Sequence, residues 1–272
     1  MRRWLSYPYL VWMIMFITVP LLLIVFYAFT KQTDGGIVFS LDHFRQILDP
    51  LYLKVFLRSF KIAFISMLIC LLIGYPVALF LSSKDFSQKS TYLMLIVIPM
   101  WMNFLLRTYA WLTLLENNGI FNKLLEFLGF GKVQFLYSEG AVILGTVYNF
   151  LPFMILPIYS VMVKIDESVI SAAQDLGANS FQVLLKVMIP LSLPGVISGI
   201  TMVFMPAVST FVISRLLGGG QFALIGNIIE QQFLLTGNWG FGSALSFVLM
   251  VLVIISMFFM NANERNGKES ML

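Results

Sequence analysis

Six stretches of this chain are apolar over about 20 residues each, the length that a helix needs to cross the hydrocarbon core of a bilayer. They cover about residues 9–29, 61–81, 92–115, 140–163, 195–217 and 240–260. Because the bilayer offers no water to backbone amides and carbonyls, a spanning segment must satisfy its own hydrogen bonds, and a helix does so. The sequence therefore predicts an all-α integral membrane protein with six transmembrane helices in a single domain, residues 1–272.

Composition agrees with a lipid-facing exterior. Of the 272 residues, 59% are hydrophobic and only 11% are charged, whereas soluble domains carry about 25% charged residues. The net charge of +4 comes from basic residues that are scattered singly. Since no basic stripe or recognition motif is visible, we expect the lipid bilayer as a partner and no nucleic acid.

The positive-inside rule gives the expected orientation of the spans. With a cytoplasmic N-terminus, the basic residues outside the spans divide evenly between the two sides, so their number does not decide. Arg2 and Arg3 precede the first span, and Lys84 and Lys89 lie in a short loop. Because the first helix and the short loops carry most weight, both termini are predicted to be cytoplasmic.

Three external segments have apolar residues at helical spacing. Residues 41–60 predict helical pieces in the membrane interface, broken near Pro50. Residues 118–129 predict a short amphipathic helix. The loop that begins at Gly218 carries apolar residues up to Trp239. It is expected to dip back toward the membrane, which makes it a candidate gate.

The cytoplasmic loop, residues 164–194, is the most informative segment. Val169, Ala172, Ala173 and Leu176 follow the i, i+3, i+4, i+7 spacing of one helical stripe. Gly177 stands where the chain needs a left-handed residue to end this helix.

A second helix is predicted directly afterwards. Asn179 is a plausible N-cap, and Gln182, three residues on, completes a capping box. Pro190 and the Pro194-Gly195 pair are expected to end this helix and to turn the chain into the fifth span. The loop thus forms a compact projection at the membrane surface, although the pattern alone also permits a linker of no special role.

This loop resembles the EAA loop of ABC-importer permeases. Ala172, Ala173, Gly177 and Pro190 match that motif in type and spacing, while Ser171 replaces the usual Glu and Ile189 replaces Leu. The resemblance implies a type I (MetI-like) bundle in which this EAA-type coupling loop contacts an ATPase. The contact residues it implies are Ser171, Ala172, Ala173, Asp175, Leu176, Gly177 and Ala178.

Other segments resemble the spermidine/putrescine permeases, and most closely their B-type subunit. They are the run from Pro99 to Leu115, the run Gly74–Ala78 and the stretch from Gln232 to Gly242. The resemblance implies a bacterial multi-pass inner-membrane protein. Its expected partners are a dimer of an ABC ATPase, a second related permease and an external polyamine-binding protein. ATP and Mg are expected to bind the ATPase, with no cofactor or metal in this chain.

A polyamine path needs cation–π faces and a few polar groups. The candidates for the path or its gate are Trp101, Asn103, Arg107, Tyr109, Trp111, Tyr148, Asn149, Phe153, Glu230 and Trp239. Trp and Tyr also gather at membrane interfaces without any such role. Arg107 lies inside a span and would repel a polyamine, so it is expected to pair with a carboxylate such as Glu116 or Glu230.

Three other function classes are less well supported. The chain has no Gly-Lys-Ser/Thr phosphate loop and no nucleophile–base pair, so neither an ATPase nor a membrane enzyme is expected. A secondary transporter would need acidic sites within the spans, and these are absent from the apolar runs. An ABC importer for sulfate, ferric iron or an opine remains the alternative to a polyamine importer.

Overall fold

The computed structural model describes residues 7–33, 36–83 and 89–269. Arg2, Arg3 and Lys84, on which the predicted orientation depends, lie outside these residues. We name the helices α1 to α12 and the strands β1 and β2 in chain order. The described residues include five single helices that are long and apolar enough to cross a membrane, and a bent pair that forms a sixth candidate span.

The first part of the chain holds a spanning helix, a small hairpin and a second, longer helix. Helix α1 consists of Tyr7–Met13, a π-helical turn Ile14–Thr18 and Val19–Ala28; the strands are β1 (Thr30–Thr33) and β2 (Gly36–Phe39), followed by α2 (Asp42–Ile47) and α3 (Pro50–Ser82).

The central part of the chain alternates short and long helices. They are α4 (Lys89–Trp101), α5 (Phe104–Leu115), α6 (Ile120–Phe127), α7 (Glu139–Met162) and α8 (Glu167–Asp175).

The last part of the chain begins with a continuous helix, α9, which consists of Ser180–Val183, a π-helical turn Leu184–Met188 and Ile189–Ser209. It is followed by α10 (Val212–Gly218), α11 (Ile225–Leu234) and α12 (Trp239–Glu269).

The antiparallel hairpin β1–β2 was not expected from the sequence. Thr30 faces Phe39 and Thr33 faces Gly36. Lys31 joins the hairpin to α2 through an ion pair with Asp42, 3.0 Å between Nζ and Oδ2. The hydrogen bond from Lys31 lowers the pKa of the Asp42 carboxyl below its usual range.

Helix α3 begins eleven residues earlier than the predicted start at residue 61, at Pro50. The carboxylate of Asp49 accepts a hydrogen bond from the Leu51 amide at 2.8 Å and caps the first turn. Proline is well suited to that turn, since its missing N–H has no intrahelical partner there. The predicted break near Pro50 is therefore confirmed, but the segment after it continues directly into the second span.

The predicted span over residues 92–115 is interrupted. Helix α4 ends at Trp101, and the chain bends by 95° before the next helical section. The Asn103 side chain caps α5 by accepting hydrogen bonds from the amides of Leu105 (2.8 Å) and Leu106 (3.4 Å). Asn103 therefore begins a new helix instead of continuing α4, because its side-chain oxygen takes the place of a backbone carbonyl as the acceptor for these amides.

The expected helix end at Pro190 is wrong, because α9 passes through this residue without a break. The Ile189 amide donates to the Leu184 carbonyl, five residues back, in the π-helical turn just before the proline. A π-helical turn with the same i to i−5 bond at Val19 precedes Pro20 in α1. Proline removes an N–H and crowds the carbonyl four residues before it, and the wider turn accommodates this.

The predicted fifth span, residues 195–217, is divided at its far end. Helix α9 ends at Ser209, and residues 212–218 form the separate helix α10. The side-chain nitrogen of Asn227, on α11, donates to the Phe211 carbonyl at 2.9 Å, while its side-chain oxygen accepts from the Ser214 hydroxyl at 2.6 Å. The chain between two spans thus folds back onto the bundle rather than continuing as one helix.

The centre of the bundle consists of α3, α7 and α9. A Cβ atom at Gly195 would lie 2.8 Å from the Pro157 carbonyl oxygen, and one at Gly199 would lie 3.1 Å from the Met154 carbonyl oxygen. Glycines let helix backbones approach this closely in membranes. The Tyr75 and Ser192 hydroxyls, 3.0 Å apart, join α3 to α9.

Candidate coupling loop and translocation path

Helix α8 is built as the sequence predicts. The Asp166 side chain caps it by accepting from the Ser168 amide at 3.0 Å. At its end, the Gly177 amide donates to the Gln174 carbonyl (2.8 Å) and the Ala178 amide donates to the Ala173 carbonyl (3.0 Å). This is a Schellman motif, and Gly177 has the positive φ of 85° that the motif requires.

The start of α9 is also as predicted. The Asn179 oxygen accepts from the Gln182 amide at 2.8 Å, and the Gln182 oxygen accepts from the Asn179 amide at 3.0 Å. This reciprocal capping box is confirmed. Since α9 continues to Ser209, the loop and the fifth span share one helix.

The predicted ATPase contact residues lie on an uncovered surface of this loop. Helix α8 has no buried residue. Leu176 is 90% exposed and Phe181 is 67% exposed. Ser171, Ala172, Asp175 and Gly177 are exposed, and Ala173 and Ala178 are partly buried. The described chain therefore presents apolar side chains on a projecting turn without covering them itself, as a docking surface does.

A cavity of about 610 Å³ lies behind the loop. Its walls include Leu79 and Phe80 of α3, Met162 of α7, Ile170 of α8 and Met188 of α9. The loop is joined to the bundle at both ends, to α7 through residues 163–166 and to the fifth span through α9, and the cavity lies between α8 and the ends of α3 and α7. We call this end of the bundle the coupling-loop end and the opposite one the far end.

Some of the predicted path residues meet at the contact between α5 and α7. The Trp111 ring packs edge-on against Tyr148, with 5.3 Å between ring centroids, and stacks on Phe121. Tyr148 is 37% exposed. These rings form an aromatic surface that remains partly open in the isolated chain.

Asn149 lies beside this cluster in sequence but is buried, with 1% exposure. Its amide nitrogen donates to the Gly145 carbonyl at 2.8 Å, which fixes the side chain on α7. Its oxygen has no hydrogen-bond partner among the described residues. A buried carbonyl oxygen without a donor is costly, and a ligand with N–H groups would satisfy it.

The other aromatic candidates lie apart from Trp111. Trp101 ends α4 and is 84% exposed, and Tyr109 is 51% exposed. Phe153 packs near Phe150, with 6.3 Å between centroids. Trp239 packs against Phe233 and Tyr27 at the far end. There it lines a separate cavity of about 560 Å³ with His43 and the hairpin.

The two charged candidates, Arg107 and Glu230, do not pair with each other. Glu230 forms its ion pair with Arg215 of α10. Arg107 is 9% exposed, and its Nε has no hydrogen-bond partner within the described part of the chain. The expected pairing of Arg107 with a carboxylate such as Glu116 or Glu230 is therefore not found among the described side chains.

Sequence reasoning missed a polar contact between α3 and α7. Glu139, at the start of α7, binds Lys61 at 2.8 Å and Arg58 at 3.7 Å. The Arg58 guanidinium also lies 5.5 Å from the centroid of the Phe222 ring. Glu139 is far from Arg58 and Lys61 in sequence, so no local pattern indicates that they pair. The one available signal is that an acidic residue is favourable in the first turn of a helix, where Glu139 lies.

The bundle, the interrupted third span and the projecting helix–glycine–helix loop define a membrane permease of the binding-protein-dependent importer class. A model of the family described as "Binding-protein-dependent transport system inner membrane component" matches residues 71–267. The chain belongs to this family, and it is a non-catalytic, multi-pass component of a bacterial inner membrane.

Curated proteins and solved structures agree with this family. The chain is 38% identical over 247 residues to the spermidine/putrescine transport system permease protein PotB of Escherichia coli (strain K12), covering 89% of this chain and 90% of that protein. Its fold is similar to that of a chain in a bacterial alginate ABC transporter, with TM-score 0.83, 17% identity and coverage of 97% and 95%. A chain of the MetNI methionine ABC transporter matches with TM-score 0.61 and 19% identity, covering 82% of this chain and 98% of that one. The predicted type I, MetI-like bundle is thereby confirmed.

Proposed function

We propose that this chain is a permease subunit of an ATP-driven polyamine importer that takes up spermidine or putrescine. The observation that carries the proposal is the 38% identity to a spermidine/putrescine permease over 89% of this chain. The two chains align over nearly their whole lengths, so the likeness includes the segments that face the path as well as the coupling loop.

We place the coupling loop, residues 164–194, on the cytoplasmic side, where it docks one subunit of an ABC ATPase dimer. ATP and Mg bind that ATPase and supply the free energy of transport. The exposed turn at Leu176 and Gly177 is the contact surface that this role requires. Because α9 is continuous from Ser180 to Ser209, a displacement of the loop moves the fifth span directly.

The movement of α9 is transmitted to the centre of the bundle. Gly195 and Gly199 bring α9 against the backbone of α7, and Ser192 joins it to Tyr75 of α3. The three helices therefore respond together. Alternating access follows when the spans open toward the external binding protein, accept a polyamine and then reset.

The path candidates suit a weakly held di- or tri-cation. Glu139 and Glu230 are both engaged by basic side chains of this chain, so they do not form a strong anionic trap. Trp111 and Tyr148 offer aromatic faces, and each cation–π contact contributes about 0.5–2 kcal/mol. Asn149 offers a carbonyl oxygen. Sites of modest strength release the substrate, as conduction requires.

The proposal is tested with the complex reconstituted in liposomes together with its ATPase, its second permease and its external binding protein. We expect the spermidine-loaded binding protein to raise ATP hydrolysis, and unlabelled putrescine to compete with uptake of labelled spermidine. Recovery of this chain without any ATPase would contradict the importer assignment. If sulfate or ferric iron competed with uptake and putrescine did not, the assignment as an ABC importer would stand and the polyamine assignment would be wrong.

A further inference from the structure

We infer that Arg107 marks the face of α5 that meets a second permease subunit, and that a carboxylate of this subunit supplies its counter-charge. The inference rests on the proposed function in one respect, the presence of a second permease in the complex. It adds a specific surface and the chemistry of the group that binds there.

The first observation is the burial of Arg107 without a partner. The residue is 9% exposed, and its Nε is enclosed with no hydrogen-bond acceptor among the described residues. Among the described side chains, residues 8–33, 36–83 and 90–258, none forms an ion pair with Arg107. Since the terminal guanidinium nitrogens are not enclosed in the same way, the charged end of the side chain remains open to the surface. An ionisable side chain in a span pairs with another group or faces a water-filled cavity.

The second observation is that the acidic residues of the described chain are engaged elsewhere or lie out of reach. At the far end, Glu139 binds Arg58 and Lys61, and Glu230 binds Arg215. Asp42 and Glu126 pair with Lys31 and Lys132. The remaining acids in the described side chains cap α3 at Asp49, lie in the coupling loop, or follow α5 at Glu116.

Glu116 is too far from Arg107 along the same helix. The two residues are nine positions apart, which is about 14 Å along the axis and half a turn around it. Within the part of the chain that the structure describes, no carboxylate neutralises the guanidinium. We therefore assign the counter-charge to a group outside the described residues, and the surface around Arg107 favours a group of another molecule.

The third observation is the character of the surface around Arg107. Asn103 and Ala110 lie one turn before and one turn after it on the same side of α5, and both are exposed. The Asn103 side chain is already used as the cap of α5. A charge is unsuited to lipid tails, and interfaces between membrane helices favour small and polar residues such as Ala110 and Asn103. Leu106 and Tyr109 extend the uncovered surface, with 64% and 51% exposure.

The charge of Arg107 selects among the possible occupants of this surface. A polyamine is cationic and is repelled by a guanidinium. A second subunit can bring an Asp or Glu side chain to the open nitrogens in bidentate geometry, which suits arginine better than lysine. An anionic lipid headgroup shares the required charge and is therefore an outcome that the experiment must separate.

The experiment uses the whole importer, with an affinity tag on this chain, purified from membranes. The amount of second permease per tagged chain is measured for the wild type, R107E, R107K and R58Q. Arg58 is the control residue, because it forms an ion pair with Glu139 of the same chain. We expect R107E to lose at least about tenfold of the second permease, as removal of an interfacial charge partner does. R107K and R58Q are expected to retain most of it.

The counter-charge is then located by reversing each membrane-segment carboxylate of the second permease to lysine. Restoration of the R107E complex by one reversal is the expected result. Assembly of R107E at the wild-type level would overturn the inference, and so would a loss that no reversal restores. A loss that follows the anionic phospholipid content of nanodiscs would assign the guanidinium to lipid and overturn it as well.

A second measurement covers the case in which R107E fails to fold. In the wild-type background A110C carries a benzophenone probe one turn from Arg107, and the native Cys70 is buried. Capture of the second permease on illumination supports the inference, and capture of lipid alone overturns it. Polyamine uptake by the same wild-type preparation tests the proposed function separately, so that the two can fail independently.

Discussion

Gly177 shows how one residue sets the shape of the coupling loop. Its φ of 85° closes α8 and allows the Asn179 capping box to start α9 two residues later. A Cβ at this position would meet no atom within 4 Å. A substitution would therefore strain the backbone without creating a steric overlap, so its effect is confined to the geometry of the turn.

Replacement of Gly177 by leucine is expected to uncouple ATP hydrolysis from transport while the spans remain folded. The left-handed conformation costs a non-glycine residue about 1–2 kcal/mol, which favours another turn geometry. ATP hydrolysis and polyamine uptake are measured on the same proteoliposomes. We expect hydrolysis to persist and uptake to fall by about tenfold, a change of about 1.4 kcal/mol.

Gly129 provides the control for this substitution. It has a similar φ of 83° and equally open surroundings, but it lies in the loop after α6. G129L therefore introduces the same backbone strain away from the coupling loop, and normal uptake is expected. Normal uptake by G177L would show that the ATPase docks elsewhere.

At the scale of elements, the π-helical turn before Pro190 fixes how the coupling loop is rotated relative to the fifth span. A π-helical turn contains one residue more than the α-helical turn it replaces. Its loss would rotate the segment before it by about 100° and shift it by about 1.5 Å. The direction in which Phe181 and α8 face thus depends on a proline within the helix.

P190A is expected to stabilise α9 and yet to impair transport. Alanine restores the N–H group and removes the ring that crowds the preceding turn, a gain of up to about 3 kcal/mol in helix propensity. Thermal unfolding and recovery of the ATPase are measured together. We expect an unchanged or higher midpoint and a reduced ATPase recovery.

P194A serves as the comparison for P190A, because Pro194 lies in the same helix without a π-helical turn directly before it. Its ATPase recovery should match that of the wild type. Full recovery of the ATPase by P190A would show that the π-helical turn does not set the orientation of the loop.

At the scale of the whole molecule, the chain consists of a shared core and an added N-terminal part. The family model begins at residue 71. The methionine-transporter chain is 98% covered while matching only 82% of this chain. Helix α1 has no buried residue in its apolar window, and the Phe29 ring that follows it packs edge-on against Phe247 of α12. Helix α1 thus packs mainly against α12 rather than against α3, α7 and α9.

Replacement of residues 8–28 by an unrelated apolar helix of the same length is expected to leave the core folded. The replacement retains a first span, so the orientation of the later spans is preserved. ATPase recovery and the thermal midpoint are measured, and both should remain close to those of the wild type.

G195L is the matched change inside the core. Its Cβ would lie 2.8 Å from the Pro157 carbonyl oxygen and 3.0 Å from the Ile158 Cα, and overpacking of this kind costs about 1–3 kcal/mol. A loss of folded protein is expected for G195L only. An equal loss of folded protein after the replacement of α1 would show that the first helix belongs to the core.

The sequence by itself determined the membrane class and the helix–glycine–helix form of the loop over residues 164–194. Both depend on local patterns: apolar runs of spanning length, the stripe at Val169–Leu176, the left-handed Gly177 and the Asn179–Gln182 capping box. Each of these acts over one or a few turns of chain, so the physical cause is contained in neighbouring residues. The roles of the candidate path residues stay predictions, because no local pattern distinguishes a path-facing aromatic from one at the membrane interface.

The tertiary structure decided where spans break, where they continue and which charges pair. Asn103 starts a new helix inside an apolar run, whereas Pro190 does not end one, since a π-helical turn accommodates its ring. Glu230 pairs with Arg215, and Arg107 remains without a carboxylate of its own described chain. The ion pair depends on how α10 and α11 pack, whereas the Asn103 cap and the π-helical turn are local hydrogen-bond arrangements that the pattern of apolar residues does not specify.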